Sequence, residues 1–223
     1  MKPESDEQIS RRELLKRAGA VGAVAFVPVA AVVSGRTALA QGAASAVPAV
    51  VREPLETLTS AEADVLEAVC ARLIPTDANG PGAAEARAAH YIDRALGGAL
   101  QSSRQVYASG LAALDSYASS SRGSRFPALA GADQDRVLQE VASGTAAGFS
   151  NGIAFFNLVR THTIEGTFGD PSYGGNAGFV GWDLIGYPGV RTVVTADEQR
   201  LGTVAKPNHK SAYDYSMFTK AAP

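Results

Sequence analysis

The spacing of apolar and polar residues along the chain predicts five amphipathic helices. The first begins at Thr59, because Thr59 and Glu62 form the pattern of a capping box, and it ends before Pro75. Four more segments with helical spacing are predicted as helices: residues 83–96, 101–117, 133–143 and 151–165. Short links and the absence of an internal repeat favour an all-α fold, a small helical bundle of about five helices.

The apolar side of each predicted helix defines the expected core. The residues predicted to face inward are Val65, Leu66, Val69, Cys70, Leu73, Ile74, Val106, Leu111, Leu114, Val137, Leu138, Val141, Ile153, Phe155, Phe156, Leu158, Val159 and Ile164. A polar stretch, residues 119–125, is predicted to separate the third helix from the fourth. These positions place the core among the five helices.

A glycine- and aromatic-rich loop is predicted after the last helix. Residues 166–189 contain eight glycines and five aromatic residues, which are Phe168, Tyr173, Phe179, Trp182 and Tyr187. Flexible linkers lack large aromatic side chains, so this loop is expected to pack against a surface. Glycine permits close backbone approach, but the sequence leaves open whether that surface is the chain's own bundle or a partner. Residues 190–223 show no clear helical pattern and are predicted to form an extended, docked tail.

Composition and charge exclude several classes of function. The 223 residues carry 20 basic and 22 acidic side chains, and the formal net charge of −2 excludes the broad basic surface of a nucleic-acid-binding protein. The single cysteine excludes an internal disulfide framework, a covalent haem motif and an iron–sulfur site built by this chain alone. No 20-residue run is apolar enough to be a clear internal membrane span.

The first forty residues have the pattern of an export leader. Arg11 and Arg12 precede a weakly apolar stretch, and Ala38 and Ala40 form a small-x-small cleavage triplet. Adjacent arginines predict the twin-arginine route, which carries proteins that are already folded. A membrane-anchoring N-terminal helix is the alternative, and Pro28 together with the short apolar stretch disfavours it.

This leader sets the predicted domain organisation. Residues 1–40 are predicted to be a signal peptide, residues 41–57 a linker or arm, and residues 58–223 the helical domain with its tail. Without the leader, the chain has 14 basic and 18 acidic side chains and is suited to the periplasm.

No motif for catalysis, cofactor binding or metal binding is evident. The sequence lacks a dinucleotide fingerprint, a phosphate loop, a nucleophile elbow and a His-Glu-x-x-His motif. His162 and Glu165 share one helix face, but a packed histidine is the favoured interpretation because no second ligand pair is evident. His90 and Asp93 have the same spacing and are predicted to form a surface pair.

The single cysteine, Cys70, lies on the apolar stripe of the first helix. An unpaired cysteine in an exported protein can form a bridge to another chain, so Cys70 is a candidate intersubunit thiol. The alternative, which the stripe favours, is a small buried apolar residue.

Three stretches carry a resemblance to a known family. They are residues 69–77 (VCARLIPTD) followed by residues 80–83 (GPGA), residues 155–166 (FFNLVRTHTIEG), and residues 168–176 (FGDPSYGGN) followed by residues 181–189 (GWDLIGYPG). Together with the leader, they resemble the small subunit (subunit 3, or gamma) of membrane-bound gluconate 2-dehydrogenase. The third stretch is the most specific, because it is an ordered mixture of rare residues.

The resemblance implies a non-catalytic subunit of an oxidoreductase complex. Such small subunits accompany a large glucose–methanol–choline-type flavoprotein, which holds FAD and oxidises a sugar, a sugar acid or an alcohol. A multihaem cytochrome c subunit with haem c usually completes the complex. The small subunit carries the export signal and helps its partner mature and cross the membrane. The resemblance thus implies a periplasmic chain without a cofactor of its own, associated with the inner membrane through its complex.

The partner interface is predicted in the glycine- and aromatic-rich loop, at Phe168, Tyr173, Asn176, Trp182 and Tyr187. Asn176 is expected to satisfy backbone groups along the irregular path of this loop.

The sequence is also compatible with two other classes of function. One is a free-standing periplasmic enzyme that uses His162 and Glu165 or Asp170, and the other is a small-ligand-binding helical protein.

Overall fold

A computed structural model describes residues 54–219, and every regular element in this part of the chain is helical. Its six α-helices are α1 (Ser60–Leu73), α2 (Ala88–Leu96), α3 (Arg104–Arg122), α4 (Gly131–Ser143), α5 (Gly152–Phe168) and α6 (Val180–Ile185). Between residues 54 and 219 there is no β-strand, so the predicted all-α class is confirmed. The predicted leader, with Arg11, Arg12, Ala38 and Ala40, lies outside the described residues.

Helix α1 begins with the predicted capping box. The Thr59 hydroxyl accepts the backbone N–H of Glu62 at 3.3 Å, and the Glu62 carboxylate accepts the backbone N–H of Thr59 at 2.8 Å. Two N–H groups that lack helical partners are satisfied in this way. The same carboxylate lies 2.8 Å from the Arg104 guanidinium, so the cap also ties α1 to the start of α3.

Helix α5 is central, because it contacts each of the other five helices. Its buried side includes Phe155, Val159, His162 and Thr163. The ring of Phe155 fills the space where a Cβ on Gly110 would lie, so α3 and α5 approach closely at that point. A helix with neighbours on several sides needs apolar residues around much of its circumference, and α5 has them.

Three residues predicted to face the core are exposed instead. Val106 is 46% exposed, Ile153 is 49% exposed and Ile164 is 47% exposed. Residues two apart on a helix point about 200° from one another, so Ile153 and Ile164 face away from Phe155 and His162. For these two residues the prediction was wrong because apolar residues on opposite sides of α5 were assigned to one stripe. Val106, on α3, lies about 140° around its helix from Leu111, and its neighbour Tyr107 is the buried residue.

The boundaries of α2 and α3 differ from the predicted ones. Residues 83–87 form turns and Arg87 adopts a left-handed conformation with φ of 59°, so α2 starts later than predicted, at Ala88. Helix α3 continues through most of the predicted polar break to Arg122. Within this stretch, Ser119 and Ser121 donate hydrogen bonds to carbonyls of the preceding turn, so their hydroxyls have partners inside the helix. The helix ends at Gly123, whose φ is 77°.

Asp93 is a buried structural acceptor, so its predicted surface pairing with His90 was wrong. The side chain of Asp93 is 1% exposed. Its carboxylate accepts the backbone N–H groups of Glu56, Thr57 and Leu58 at 2.7, 3.0 and 2.7 Å. These bonds hold the segment before α1 against α2 and satisfy three N–H groups that would otherwise lack partners.

Candidate functional site

The chain folds back onto α5 directly after that helix ends. Residues 166–189, called the aromatic segment below, begin in the last turn of α5 and contain two short 3₁₀ turns, Pro171–Tyr173 and Ala177–Phe179, followed by α6. The sequence predicted a loop throughout, so α6 was missed. Its six residues are too few to show helical periodicity among so many glycines.

The aromatic segment satisfies carbonyl groups that the end of α5 leaves without helical partners. The backbone N–H of Asn176 donates to the Gly166 carbonyl at 2.7 Å, and the side-chain amide of Asn176 donates to the Gly169 carbonyl at 2.8 Å. The indole N–H of Trp182 donates to the Phe168 carbonyl at 2.8 Å. Together, Asn176 and Trp182 therefore act as a cap for α5.

Asn176 performs the role that the sequence predicted for it. Its side-chain oxygen accepts the backbone N–H of Gly181 at 2.9 Å, in addition to the two bonds that the residue donates. Asn176 is fully buried, and its φ of 44° lies in the left-handed region that asparagine tolerates better than most residues. One side chain thus joins the end of α5 to the start of α6.

Two glycines make this close approach to α5 possible. A Cβ on Gly175 would collide with the carbonyl oxygen of Gly166, and a Cβ on Gly181 would collide with the carbonyl oxygen of Thr167. Both obstacles are backbone atoms, which cannot rotate away as a side chain can. Any other residue at either position would push the aromatic segment off α5.

Trp182 belongs to the interior of the chain. It is 5% exposed, and its ring lies 5.4 Å from the ring of Phe179 and 4.8 Å from the ring of Tyr187. The sequence left open whether the aromatic segment packs on its own bundle or on a partner. For Trp182 and Asn176, the observed contacts lie within this chain.

The five residues predicted to form a partner interface therefore occupy different environments. Asn176 and Trp182 are buried, and Phe168 is partly buried. Tyr173 is 54% exposed and Tyr187 is 39% exposed. A partner that approaches this face would contact the two tyrosines, and the buried residues would determine where those tyrosines stand.

Asp170 binds the C-terminal tail to the aromatic segment. Its carboxylate accepts the Ser211 hydroxyl at 2.6 Å, the backbone N–H of Ala212 at 2.9 Å and the backbone N–H of Ser172 at 3.0 Å. Partial burial alone would raise the pKa of Asp170, but the hydrogen bonds from Ser211, Ser172 and Ala212 stabilise the charged form, so the pKa lies below its usual value of 3.8.

A second contact holds the tail to α6. His209 Nε2 lies 2.8 Å from a carboxylate oxygen of Asp183, and the His209 ring stacks on Phe179 with centroids 5.0 Å apart. The predicted docking of the tail is therefore observed at His209, Ser211 and Ala212, whereas the chain between residues 191 and 208 is mostly exposed and a 3₁₀ turn (Ala212–Asp214) interrupts the predicted extended path. The sequence indicated that the tail docks but gave no signal for the roles of Asp170 and His209, whose partners lie 26 to 42 residues away.

Cys70 is enclosed in the bundle. It is 1% exposed, and its Sγ lies 3.4 Å from the Thr163 hydroxyl oxygen. Burial raises the pKa of the Cys70 thiol to about 12, which keeps it protonated at neutral pH. This environment favours the interpretation of Cys70 as a packed residue over an intersubunit thiol.

The residues of the hypothetical enzyme site also have structural partners. His162 is buried, its Nδ1 lies 2.9 Å from the Tyr107 hydroxyl, and burial lowers its pKa. Glu165 is exposed and accepts the Tyr91 hydroxyl at 3.1 Å.

Among residues 54–219, no group of three or more His, Cys, Asp and Glu side chains is arranged to hold a metal ion. Over the same residues, no helix is long and apolar enough to cross a membrane.

An open depression of about 320 Å³ lies between α1 and α3. Its charged lining residues are already paired within the chain, Glu62 with Arg104 at 2.8 Å and Asp115 with Arg125 at 2.8 Å. Because these charges are neutralised in place, nothing in the depression selects a particular class of small ligand.

The Asp170 contact predicts acid release of the tail. Because docking lowers the pKa of Asp170, the docked state is stabilised by this group above pH 3.8, and the stabilisation is lost as the pH falls through the lowered value. In an NMR titration, the Ala212 amide should shift with a midpoint below pH 3.8, and Asp170→Asn should abolish that shift. A midpoint above pH 3.8 in the unsubstituted chain would contradict the role of Asp170.

Comparison with known proteins identifies the family. A family model described as gluconate 2-dehydrogenase subunit 3 matches residues 60–189, from the first residue of α1 to the end of the aromatic segment. No curated protein and no solved structure gives a significant match. The family match confirms the resemblance carried by the three sequence stretches, and it covers more than half of the 223 residues. This chain belongs to the gluconate 2-dehydrogenase subunit 3 family.

Proposed function

We propose that this chain is the non-catalytic small subunit of a periplasmic, membrane-associated, FAD-dependent dehydrogenase of sugars, sugar acids or alcohols. The observation that carries the proposal is the family match over residues 60–189, which includes all six helices and the aromatic segment. The family's description is that of one subunit of a dehydrogenase complex. Substrate choice in such a complex belongs to the flavoprotein.

In this proposal, the chain supports its partner's maturation and export and does not supply reacting groups. The partner is a glucose–methanol–choline-type flavoprotein that holds FAD, and a multihaem cytochrome c subunit receives the electrons. Three groups that an independent enzyme would use are engaged in structural bonds: His162 with Tyr107, Glu165 with Tyr91 and Asp170 with the tail. Those bonds give each of the three groups a structural role within the chain. Turnover of sugars or alcohols by the purified chain alone would overturn the proposal.

The proposed docking surface is the exposed side of the aromatic segment. Tyr173 and Tyr187 supply the exposed rings there, and tyrosine is a residue type that contributes strongly to interface energetics. Beneath them, Asn176 and Trp182 hold the segment against the end of α5 by donating to the Gly169 and Phe168 carbonyls. A surface that is ordered before binding reduces the entropy lost on association.

Two substitutions distinguish a residue that contacts the flavoprotein from a residue that holds the docking surface in place. Tyr173→Ala should weaken flavoprotein binding about tenfold or more. It should change thermal unfolding of the helices little, because Tyr173 is 54% exposed and its 3.1 Å hydroxyl contact is to Tyr213 in the tail. Trp182→Ala should lower both binding and the free energy of unfolding, the latter by about 3 kcal/mol, because a buried ring is removed. Val106→Ala, on the exposed surface of α3, is the matched control. Wild-type affinity of Tyr173→Ala for the flavoprotein would exclude this surface.

In the proposed export route, residues 1–40 are a twin-arginine signal, residues 41–57 are an arm and residues 58–223 are the folded domain. The chain would carry the flavoprotein across the membrane with it. Because such complexes cross already folded, one signal can serve two chains.

Export is tested by changing the arginine pair while keeping its charge. Arg11→Lys with Arg12→Lys should stop translocation of this chain and strand the flavoprotein in the cytoplasm. Fractionation, with dehydrogenase activity measured in each compartment, checks both chains together. Arg36→Lys, elsewhere in the predicted leader, is the control and should leave export unchanged. Normal periplasmic activity with the double substitution would refute the shared export route.

A further inference from the structure

The tail contains a loop that leaves the folded body and returns to it. The loop spans residues 191–209, called the tail loop below, and hydrogen bonds close its base. The backbone N–H of Val190 donates to the Lys210 carbonyl at 3.0 Å. The backbone N–H of Asn208 donates to the Pro188 carbonyl at 2.9 Å, and its side-chain amide donates to the Val190 carbonyl at 2.8 Å. The ends of the tail loop are therefore fixed next to each other.

The tail loop exposes aliphatic side chains. Val193 is 76% exposed, Val204 is 88% exposed and Leu201 is completely exposed. No large aliphatic side chain on the six described helices exceeds the 58% exposure of Ile185. Water contact of this extent forfeits the free energy that burial would give, so these residues favour a state in which something covers them.

Polar bonds, and not apolar packing, hold the tail loop in shape. Arg191 pairs with Glu198 at 2.7 Å, and Arg191 also donates to the Lys206 carbonyl. The Glu198 carboxylate accepts both the backbone N–H and the hydroxyl of Thr195 at 2.8 Å. The exposed aliphatic residues are thus not needed to order the loop, which leaves them free to contact another surface.

The tail loop and its base, residues 190–210, differ in charge from the preceding body of the described chain, residues 54–189. Residues 54–189 carry 14 acidic and 8 basic side chains, whereas residues 190–210 carry 4 basic and 2 acidic ones. Both acidic residues are neutralised, Asp197 by Arg200 at 2.9 Å and Glu198 by Arg191. The basic excess comes from Lys206 and Lys210.

Lysine is also concentrated in this part of the sequence. After Lys16, the chain has no lysine before Lys206, and Lys206, Lys210 and Lys220 follow within 15 residues. The exposed residues Tyr213, Met217 and Phe218 lie between the last two of these lysines. Residues 190–223 as a whole carry five basic and three acidic side chains, the third acidic residue being Asp214, so this part of the chain has a small positive excess beside exposed apolar residues.

The combination of exposed aliphatic side chains with lysines favours a lipid surface over a protein partner. Lysine is depleted in protein interfaces, where aromatic residues and arginine dominate. At a membrane surface, aliphatic side chains enter the boundary between headgroups and acyl chains, lysine ammonium groups reach the anionic phosphates, and aromatic rings lie at headgroup level. We infer that the tail loop binds the surface of a membrane that contains anionic lipids, through Leu201, Val204, Val193 and the adjacent lysines.

This direct contact goes beyond the proposed function, in which the complex as a whole provides membrane association. It would orient the small subunit with its tail loop toward the bilayer. The contact requires no flavoprotein, so its test does not depend on the proposed partner.

The test places a reporter on the tail loop of the full chain. In a Cys70→Ala background, Leu201→Cys is labelled with an environment-sensitive fluorophore, and Val106→Cys on α3 is the matched control. Vesicles of phosphatidylcholine with about 30% phosphatidylglycerol should shift the emission of the label at position 201 to shorter wavelength but leave the label at position 106 unchanged. Since only the labelled position responds, binding by another part of the chain cannot produce this signal. Circular dichroism checks that both variants are folded.

Lysine substitutions test the electrostatic part of the inference. Lys206→Gln with Lys210→Gln in the labelled chain should weaken the response to anionic vesicles at least about tenfold. Added salt should weaken the unsubstituted response, and vesicles of phosphatidylcholine alone should give a small one. No shift at position 201 with anionic vesicles would overturn the inference. A shift produced by the flavoprotein without vesicles would overturn it in favour of a protein interface.

Discussion

The end of α5 imposes the constraint on which residues 166–219 depend. A helix that stops inside a protein leaves its last carbonyl groups without helical partners, and burying them unpaired is costly. Here the Gly166, Phe168 and Gly169 carbonyls are satisfied by Asn176 and Trp182. For these donors to reach α5, the backbone must pass so close that only glycine fits at positions 175 and 181.

This contact explains two of the glycines and the aromatic cluster in the segment. Gly175 and Gly181 allow the approach to α5, and the rings of Phe179 and Tyr187 pack around Trp182 once the backbone is in place. Capping also sets the positions of Tyr173, Asp170 and Asp183, which lie on the outer side and hold or flank the tail. The proposed docking surface and the tail loop are therefore both built on the end of α5.

Local signals made some of these features predictable. The capping box at Thr59, the all-α class and the backbone-satisfying role of Asn176 depend on residues close in sequence, and the structure has all three. Asp93 was misjudged because the backbone N–H groups that donate to its carboxylate lie 35 to 37 residues away and leave no local pattern. Ile153 and Ile164 were misjudged because a central helix is apolar on more than one side, so periodicity does not identify its exposed face.

With its bonds to α5 made within the chain, the aromatic segment is already folded onto that helix in the isolated subunit. Amide hydrogen exchange of the chain alone, measured residue by residue, tests this most directly, because the N–H groups of Asn176 and Gly181 are bonded only if the segment is docked. Both amides should show protection close to that of the α5 core, and addition of the flavoprotein should change them little. Exchange as fast as that of an open loop, with protection only after the flavoprotein is added, would contradict the claim.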